Sequence, residues 1–247
     1  MGHKNAEPEA SAYGSINDLE RQKLDAMKEL AYGASHEINN PLANIAARAQ
    51  SLLRDETHPE RRRALEAIHQ QAIRAHEMIS DLMLFARPPQ LVIEKVDLNE
   101  IASQCVTSLA REAAEREIKF ALRLPAEPTS VAGDAEQLSV AVKAVCVNAL
   151  EAIGRVGVVT ITVSHENFAG ADRGVIEISD TGPGIPSEIR THIFDPFFSG
   201  REAGRGLGFG LSKCWRIVTE HGGDIVVTSD KSKGATFTIY LPSKSSP

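Results

Sequence analysis

Residues 33–45 read GASHEINNPLANI and lie inside a run whose apolar residues otherwise follow helical spacing. A proline within a helix removes one backbone donor and clashes with the carbonyl four residues earlier, so Pro41 predicts a bend. His36 lies off the apolar seam, toward solvent, and is followed by an acidic neighbour, Glu37. Asn40 is one turn beyond His36 and therefore on the same flank. The stretch indicates a helix that carries a reactive histidine.

The apolar residues continue at steps of three or four on both sides of this stretch. The polar segment RDETHPE at 54–60 interrupts the pattern, and the prolines of RPPQ at 87–90 end it. The step is close to the 3.5-residue repeat of a helical-bundle seam, so we predict a helical hairpin over residues 15–87. The seam residues are Leu24, Met27, Ala31, Ala34, Ile38, Ile45, Ala49 and Leu52 on the first helix, and Leu65, Ile68, Ala72, Ala75, Ile79, Leu82 and Phe85 on the second.

Two helices alone leave much of this seam in water. Pairing two hairpins into a four-helix bundle would bury it, so the pattern predicts a homodimer. The alternative is that the hairpin packs against the C-terminal part of the chain.

After Gln90 the sequence changes to a mixed α/β pattern. Strands are predicted for KFALRL, VVTITVSHE, GVIEISD, DIVVTSD and ATFTIYL, and helices for LNEIASQCVTSLAREAAEREI, DAEQLSVAVKAVCVNALEAI and GLSKCWRIVTEHGG. The strands come late and in neighbouring pairs, which favours a mixed sheet with helices on one face, an α+β sandwich of two layers. We assign residues 1–14 to a flexible leader, 15–87 to the hairpin, 88–96 to a linker and 97–247 to this second domain.

Composition excludes several classes of protein. The 247 residues are 42% hydrophobic, which is typical of a globular protein, and the net charge of −6 argues against a nucleic-acid partner. No apolar run approaches the ~20 residues that a membrane span needs. Three cysteines, Cys105, Cys146 and Cys214, lack metal-ligand spacing and indicate buried thiols in a reducing compartment. We expect a cytoplasmic protein, or the cytoplasmic part of a longer one.

Three stretches of the second domain carry candidate binding residues. DTGPGI at 180–185 follows a strand, and Asp180 could accept a hydrogen bond from a ligand amine. GREAGRGLGFGL at 200–211 leads into a helix, and Gly206, Gly208 and Gly210 leave backbone N–H groups for phosphate. Asn148 lies on an apolar helix, where a side-chain amide needs a partner: a metal ion with its phosphates, or a backbone carbonyl.

In this order, NALEAI, DTGPGI, FDPFF and GLGFGL resemble the four boxes of the Bergerat-type ATP-binding domain, which histidine kinases share with gyrase, Hsp90 and MutL. SHEINNPL resembles the phosphoacceptor box of sensor histidine kinases, in the variant where Asn precedes Pro. The resemblance covers residues 20–243. It implies an ATP- and Mg²⁺-dependent protein-histidine kinase that passes phosphate to an aspartate in the receiver domain of a response regulator, with a regulator phosphatase activity as a second function.

The resemblance also implies residue roles. His36 matches the phosphorylated histidine, Glu37 the acidic neighbour that orients its ring and accepts its proton, and Asn40 the residue that helps water attack a phosphorylated partner. Other positions match the nucleotide site: Asn148 the magnesium ligand, Asp180 the adenine-reading carboxylate, Gly182 and Gly184 the pocket glycines, Phe194 and Phe197 the box beside the lid, and Gly206, Gly208 and Gly210 the phosphate-side glycines. Arg201 and Arg205 are either phosphate-steering or solvated. We expect His69 and His76 to be solvated.

One departure from the family pattern affects the expected activity. Ala144 stands where many members have a second asparagine, and where gyrase-like ATPases have a glutamate that activates water. The absence of this glutamate argues against an ATPase. The alanine also leaves open a scaffold protein that binds nucleotide and a regulator without phosphorylating itself.

Overall fold

The computed structural model describes residues 18–86, 90–168, 170–196, 198, 208–230 and 233–243, with the backbone alone for helical residues 18–36, 77 and 81–86. The chain divides into two compact units between residues 87 and 88. The leader assigned to residues 1–14 lies outside the described residues.

The first unit consists of two helices, α1 (Asp18–Asp55) and α2 (Pro59–Ala86), which pack against each other. Helix α1 continues through Pro41 without ending. Glu56 closes the connection between the helices: its carboxylate accepts the His58 N–H at 2.8 Å and pairs with Arg61 at 3.0 Å. The N–H of His58 is the main cause of the lowered pKa of Glu56.

Small side chains fill the contact inside this unit, and large ones lie outside it. Ala46, Ala49 and Ala72 are buried, whereas Ile38, Ile45, Leu52, Ile68 and Ile73 are 39–61% exposed. The predicted seam is therefore divided: Ala49 and Ala72 pack within the hairpin, whereas four of its large residues are left largely uncovered in the single chain, namely Ile38, Ile45, Leu52 and Ile68.

The second unit is an α+β sandwich. Its strands are β1 (Glu94–Asp97), β2 (Ile118–Arg123), β3 (Ser130–Gly133), β4 (Gly157–Phe168), β5 (Ala171–Asp180), β6 (Asp224–Ser229) and β7 (Ala235–Pro242); its helices are α3 (Leu98–Glu115), α4 (Ala135–Ile153), α5 (Ser187–Arg190) and α6 (Gly210–Glu220). Five strands form one sheet in the order β2-β4-β5-β7-β6. The β2–β4 pair is parallel and the other pairs are antiparallel, which confirms the prediction of a mixed sheet.

Alternation along the strands places the core on one face of this sheet. Val159, Ile161 and Val163 are buried on β4, while Thr160 and Thr162 between them are partly exposed. Phe237, Ile239 and Leu241 repeat the pattern on β7. Helices α3, α4 and α6 contribute buried residues to the same core cluster.

The linker assigned to residues 88–96 is wrong at its end, because residues 94–96 belong to β1. This strand pairs with β3, which the sequence pattern did not predict either, and Val96 is buried in the pair. Both strands have only four residues, too few for an alternating pattern to stand out. The helix predicted over 98–118 ends at Glu115, and Ile118 begins β2.

Candidate functional site

Asp180 ends β5 and is a buried carboxylate, 5% exposed. Burial raises the pKa of this carboxyl, and N–H groups of Gly182 and Ala235 that bond to it partly oppose the shift. The Gly182 N–H lies 2.7 Å from Oδ1. No cation pairs with Asp180 among the described residues, so the carboxylate can accept a further hydrogen bond from a neutral donor such as an amine.

The two glycines after Asp180 are required by close packing. A Cβ at Gly182 would lie 2.8 Å from the Asp180 Oδ1 and 3.4 Å from backbone atoms of Ala152 and Ile153. Gly184 has φ of +78°, and a Cβ there would collide with the backbone oxygen of Asp230. The 180–185 turn therefore lies between the end of α4 and the β6–β7 turn.

Asn148 lies on α4, one turn before Ala152, whose backbone carbon would lie 3.4 Å from a Cβ on Gly182. The residue is partly exposed, and the part of the chain that the structure describes gives its side chain no hydrogen-bond partner. The backbone carbonyl considered as an alternative partner is therefore not found. An amide oxygen free of protein partners suits Mg²⁺, which takes oxygen ligands from protein, phosphate and water. Ala144, one turn earlier, packs against the core.

Phe194 is a core residue, 7% exposed, and its ring meets that of Phe237 edge to face at 6.4 Å. It anchors the segment that leads toward residues 199–207. Beside it, the Nδ1 of His192 and the Oδ2 of Asp195 are 2.7 Å apart. Phe197, Arg201, Arg205 and Gly206 were also predicted as site or lid residues, and they lie outside the described residues.

The start of α6 has the features of an anion site. Gly208 has φ of +72°, Phe209 is buried, and Gly210 is the first residue of the helix. The side chain of Phe209, at the N-cap position, makes no cap hydrogen bond, and a Cβ on Gly210 would meet none of the described atoms within 4 Å. The N–H groups of the first turn, with the positive end of the helix dipole, favour a phosphate here.

The candidate phosphoacceptor residues lie on α1 in the first unit. The backbone of His36 is helical, and its side chain is not among the described parts of the structure. Glu37 and Asn40 are exposed. Asn44 donates from its side-chain amide to the backbone oxygen of Asn40 at 3.1 Å, whereas the Asn40 amide has no partner among the described residues.

The expectation that His76 is solvated is wrong for one ring atom. Its Nδ1 is buried and has no hydrogen-bond partner among the described residues, and His69 is also partly buried. His76 lies close to Ala72, Ala75 and Ile79 on α2. Its exposure therefore depends on its position on the helix and could not be predicted from the polarity of histidine alone.

Two residues that the motifs did not identify, Arg190 and Ser229, bond to the 180–185 turn. No local signal marks the position of Ser229, which is 44 residues from Ile185 and 39 residues from Arg190 in the chain.

Two family models match the chain. Residues 26–90 match the His Kinase A (phospho-acceptor) domain, and residues 133–245 match the histidine kinase-, DNA gyrase B- and HSP90-like ATPase domain. The sensor histidine kinase ZraS of Escherichia coli (strain K12) is 34% identical over 225 residues, covering 90% of this chain. The chain spans 47% of the length of that curated relative.

Solved structures share the fold. Full-length ShkA in complex with AMPPNP superposes with a TM-score of 0.76 at 24% identity, covering 88% of this chain and 46% of that one. The histidine kinase ThkA in complex with the response regulator protein TrrA gives a TM-score of 0.64 at 24% identity, covering 90% of this chain and 64% of that one.

Proposed function

Because this chain belongs to the histidine kinases and carries both domains of their catalytic core, we propose that it phosphorylates its own His36 from ATP. The phosphoryl group then passes to an aspartate of a response regulator. The observation that carries the proposal is Asp180, a buried carboxylate without a cationic partner among the described residues, in a turn beside the helix of Asn148.

The C-terminal unit supplies the ATP site. Asp180 accepts a hydrogen bond from the adenine amine, and the start of α6 with Gly208 and Gly210 holds phosphate oxygens. Asn148 would hold Mg²⁺ through its amide oxygen. When bound there, the ion would neutralise charge that develops on the phosphates, and positioning by the protein would account for most of the remaining catalysis of phosphoryl transfer. Phe197, Arg201 and Gly206 belong to the same proposed site.

The first unit supplies the nucleophile. A ring nitrogen of His36 attacks the γ-phosphorus with its lone pair while the bond from that phosphorus to the β–γ bridging oxygen breaks, which releases ADP. The imidazole must be neutral, and the proton on its other nitrogen passes to Glu37. Glu37 is the next residue and is exposed to solvent.

A second copy of the chain is the proposed partner of the hairpin. An apolar groove of about 390 Å³ is lined by Leu42, Ile45, Ala67, Ile68, Gln71 and Ala72. Ile45 and Ile68 remain 45% and 48% exposed there, and burying them between two hairpins would form a four-helix bundle.

A response regulator is the proposed acceptor of the phosphoryl group. ThkA has been solved with a response regulator, and Asn40 is exposed one turn beyond His36, where a docked receiver domain could meet it.

The described cysteines are free and buried, which fits a reducing compartment, so we propose that the chain works in the cytoplasm.

A nucleotide-binding scaffold is the second candidate. It is favoured by Ala144, which has no polar atom to help Asn148 hold a metal ion. Incubation with γ-labelled ATP and Mg²⁺ separates the candidates. Acid-labile, base-stable label on the protein supports the kinase. Nucleotide binding without label supports the scaffold, and free labelled phosphate without a labelled protein would support an ATPase.

A further inference from the structure

We infer that Ser229 and Arg190 are positioning residues that fix the 180–185 turn against the β6–β7 turn and thereby determine how strictly the site recognises adenine. The inference rests on the proposed nucleotide-binding function of Asp180. Neither residue needs to touch the nucleotide.

Ser229 joins the two turns through one hydroxyl. Its Oγ accepts a hydrogen bond from the Ile185 N–H at 2.7 Å and donates one to the Gly234 backbone oxygen at 2.8 Å. Ile185 ends the nucleotide-binding turn, and Gly234 directly precedes β7. One side chain therefore uses both its acceptor and its donor capacity to hold two segments together.

Arg190 makes a second connection between the same segments. Its Nη2 donates to the Ser229 backbone oxygen at 2.6 Å and lies 3.4 Å from the Ile185 backbone oxygen. The Nε of Arg190 is buried and has no partner among the described residues. A guanidinium held on backbone oxygens makes charge-assisted hydrogen bonds, which are stronger than neutral ones.

Backbone packing makes the site depend on these connections. A Cβ at Gly234 would collide with the Asp180 backbone oxygen, and one at Gly184 would collide with that of Asp230. The turns approach each other backbone to backbone at these two glycines, so the hydrogen bonds of Ser229 and Arg190, together with the β5–β7 pairing, define their relative position. Ala235 follows Gly234 and donates its N–H to the Asp180 carboxylate. A shift between the turns would therefore move a donor that orients the adenine-reading group.

The test compares ADP with inosine diphosphate (IDP), which has a carbonyl where adenine has its amine. Dissociation constants of both are measured by calorimetry on the whole chain. For Ser229→Ala, we expect the ratio of the IDP constant to the ADP constant to fall about three- to tenfold, as expected from the loss of one or two net hydrogen bonds. Ser229→Thr keeps the hydroxyl and should restore the ratio. Thr228→Ala removes an exposed hydroxyl from the same strand and should leave it unchanged.

Arg190→Met retains the bulk of the side chain and removes its donors, so it should lower the ratio even if Ser229→Ala fails to fold. A general loss of stability would weaken the binding of both nucleotides alike and leave the ratio of their dissociation constants unchanged. An unchanged ratio in folded Ser229→Ala or Arg190→Met would overturn the inference. If the parent protein itself does not prefer ADP over IDP, the proposed recognition of adenine by Asp180 is wrong. That outcome differs from an unchanged ratio in the variants, which would refute only the positioning role of Ser229 and Arg190.

Discussion

Asp180 has a pKa raised by burial, because the charged carboxylate loses hydration that two backbone N–H groups only partly replace. A raised pKa means that acidification protonates this group at a higher pH than an ordinary aspartate, whose pKa is about 3.9. A protonated carboxyl no longer offers the adenine amine a charged acceptor. Its hydroxyl can instead donate to the IDP carbonyl.

We therefore predict that the preference for ADP over IDP falls as the pH is lowered, with a midpoint above the ordinary aspartate pKa. Calorimetry with both nucleotides across acidic pH measures this preference. The phosphate groups titrate in both ligands and cancel in the ratio. A preference that is constant down to pH ~4 would contradict the account of Asp180.

Asn40 separates the two activities proposed for the phosphoacceptor helix. We predict that Asn40→Ala keeps most autokinase activity and loses most phosphatase activity, because its amide can align a water on the aspartyl phosphate of a docked regulator. The assays are an autophosphorylation time course and the decay of purified phosphorylated regulator with ADP present.

The alternative is that Asn40 acts by satisfying a backbone group freed by Pro41. No such bond is found among the described residues, and the backbone contact at this turn comes from Asn44. Asn44→Ala is therefore the matched control for a loosened helix. Equal loss of both activities in Asn40→Ala would favour the alternative, and a parental phosphatase rate would refute the role of the amide.

A turn whose packing depends on neighbouring residues can be recognised from a short motif in the sequence. Asp180, Gly182 and Gly184 occur within one turn, and the structure accounts for each by a contact within or next to that turn. Arg190 and Ser229 could not be located this way, because their hydrogen bonds join segments that become neighbours only after the sheet forms.

Helix α6 gives a prediction at the scale of an element. Gly210 begins the helix, and a Cβ there would meet none of the described atoms within 4 Å, so Gly210→Ala should leave the ligand-free protein as stable or up to ~1 kcal/mol more stable. Nucleotide affinity should nevertheless fall, because the added methyl group would occupy the approach of phosphate to the first-turn amides. Thermal unfolding and ADP calorimetry on the same sample measure the two effects.

Gly184→Ala is the contrasting variant. Its Cβ would collide with a backbone oxygen at a positive φ, so unfolding stability should drop by about 1–3 kcal/mol together with affinity. A Gly210→Ala protein that binds ADP as tightly as the parent would exclude the start of α6 from the phosphate site.

Elements with strong periodicity were predictable, and short ones were not. The 19 residues of α4 and the alternating strand β7 follow the predicted stretches. Strands β1 and β3 have four residues each and are held by tertiary pairing, which no local pattern encodes.

At the scale of the whole molecule, the uncovered face of the hairpin predicts assembly. Ile45 is 45% exposed in the single chain, so Ile45→Glu should be tolerated by a lone hairpin. In a dimer the same change would bury an unpaired charge, which costs several kcal/mol. We predict that sedimentation velocity shows a dimer for the parent and a folded monomer for Ile45→Glu.

Ala47→Glu provides the control, since Ala47 is exposed and about 200° around the helix from Ile45. It should remain dimeric. A stable Ile45→Glu dimer would mean that the groove faces something other than a second copy. The sequence predicted a seam but not its division, because which seam residues pack inside one hairpin depends on the rotation of each helix about its axis.

The most direct test of the account is the location of the phosphate after incubation with γ-labelled ATP and Mg²⁺. The parent protein, His36→Gln and His69→Gln are compared under identical conditions, with ADP binding measured on each sample. We predict acid-labile label on the parent and on His69→Gln, none on His36→Gln, and equal ADP affinity in all three. Acid-labile label that persists on His36→Gln would contradict it.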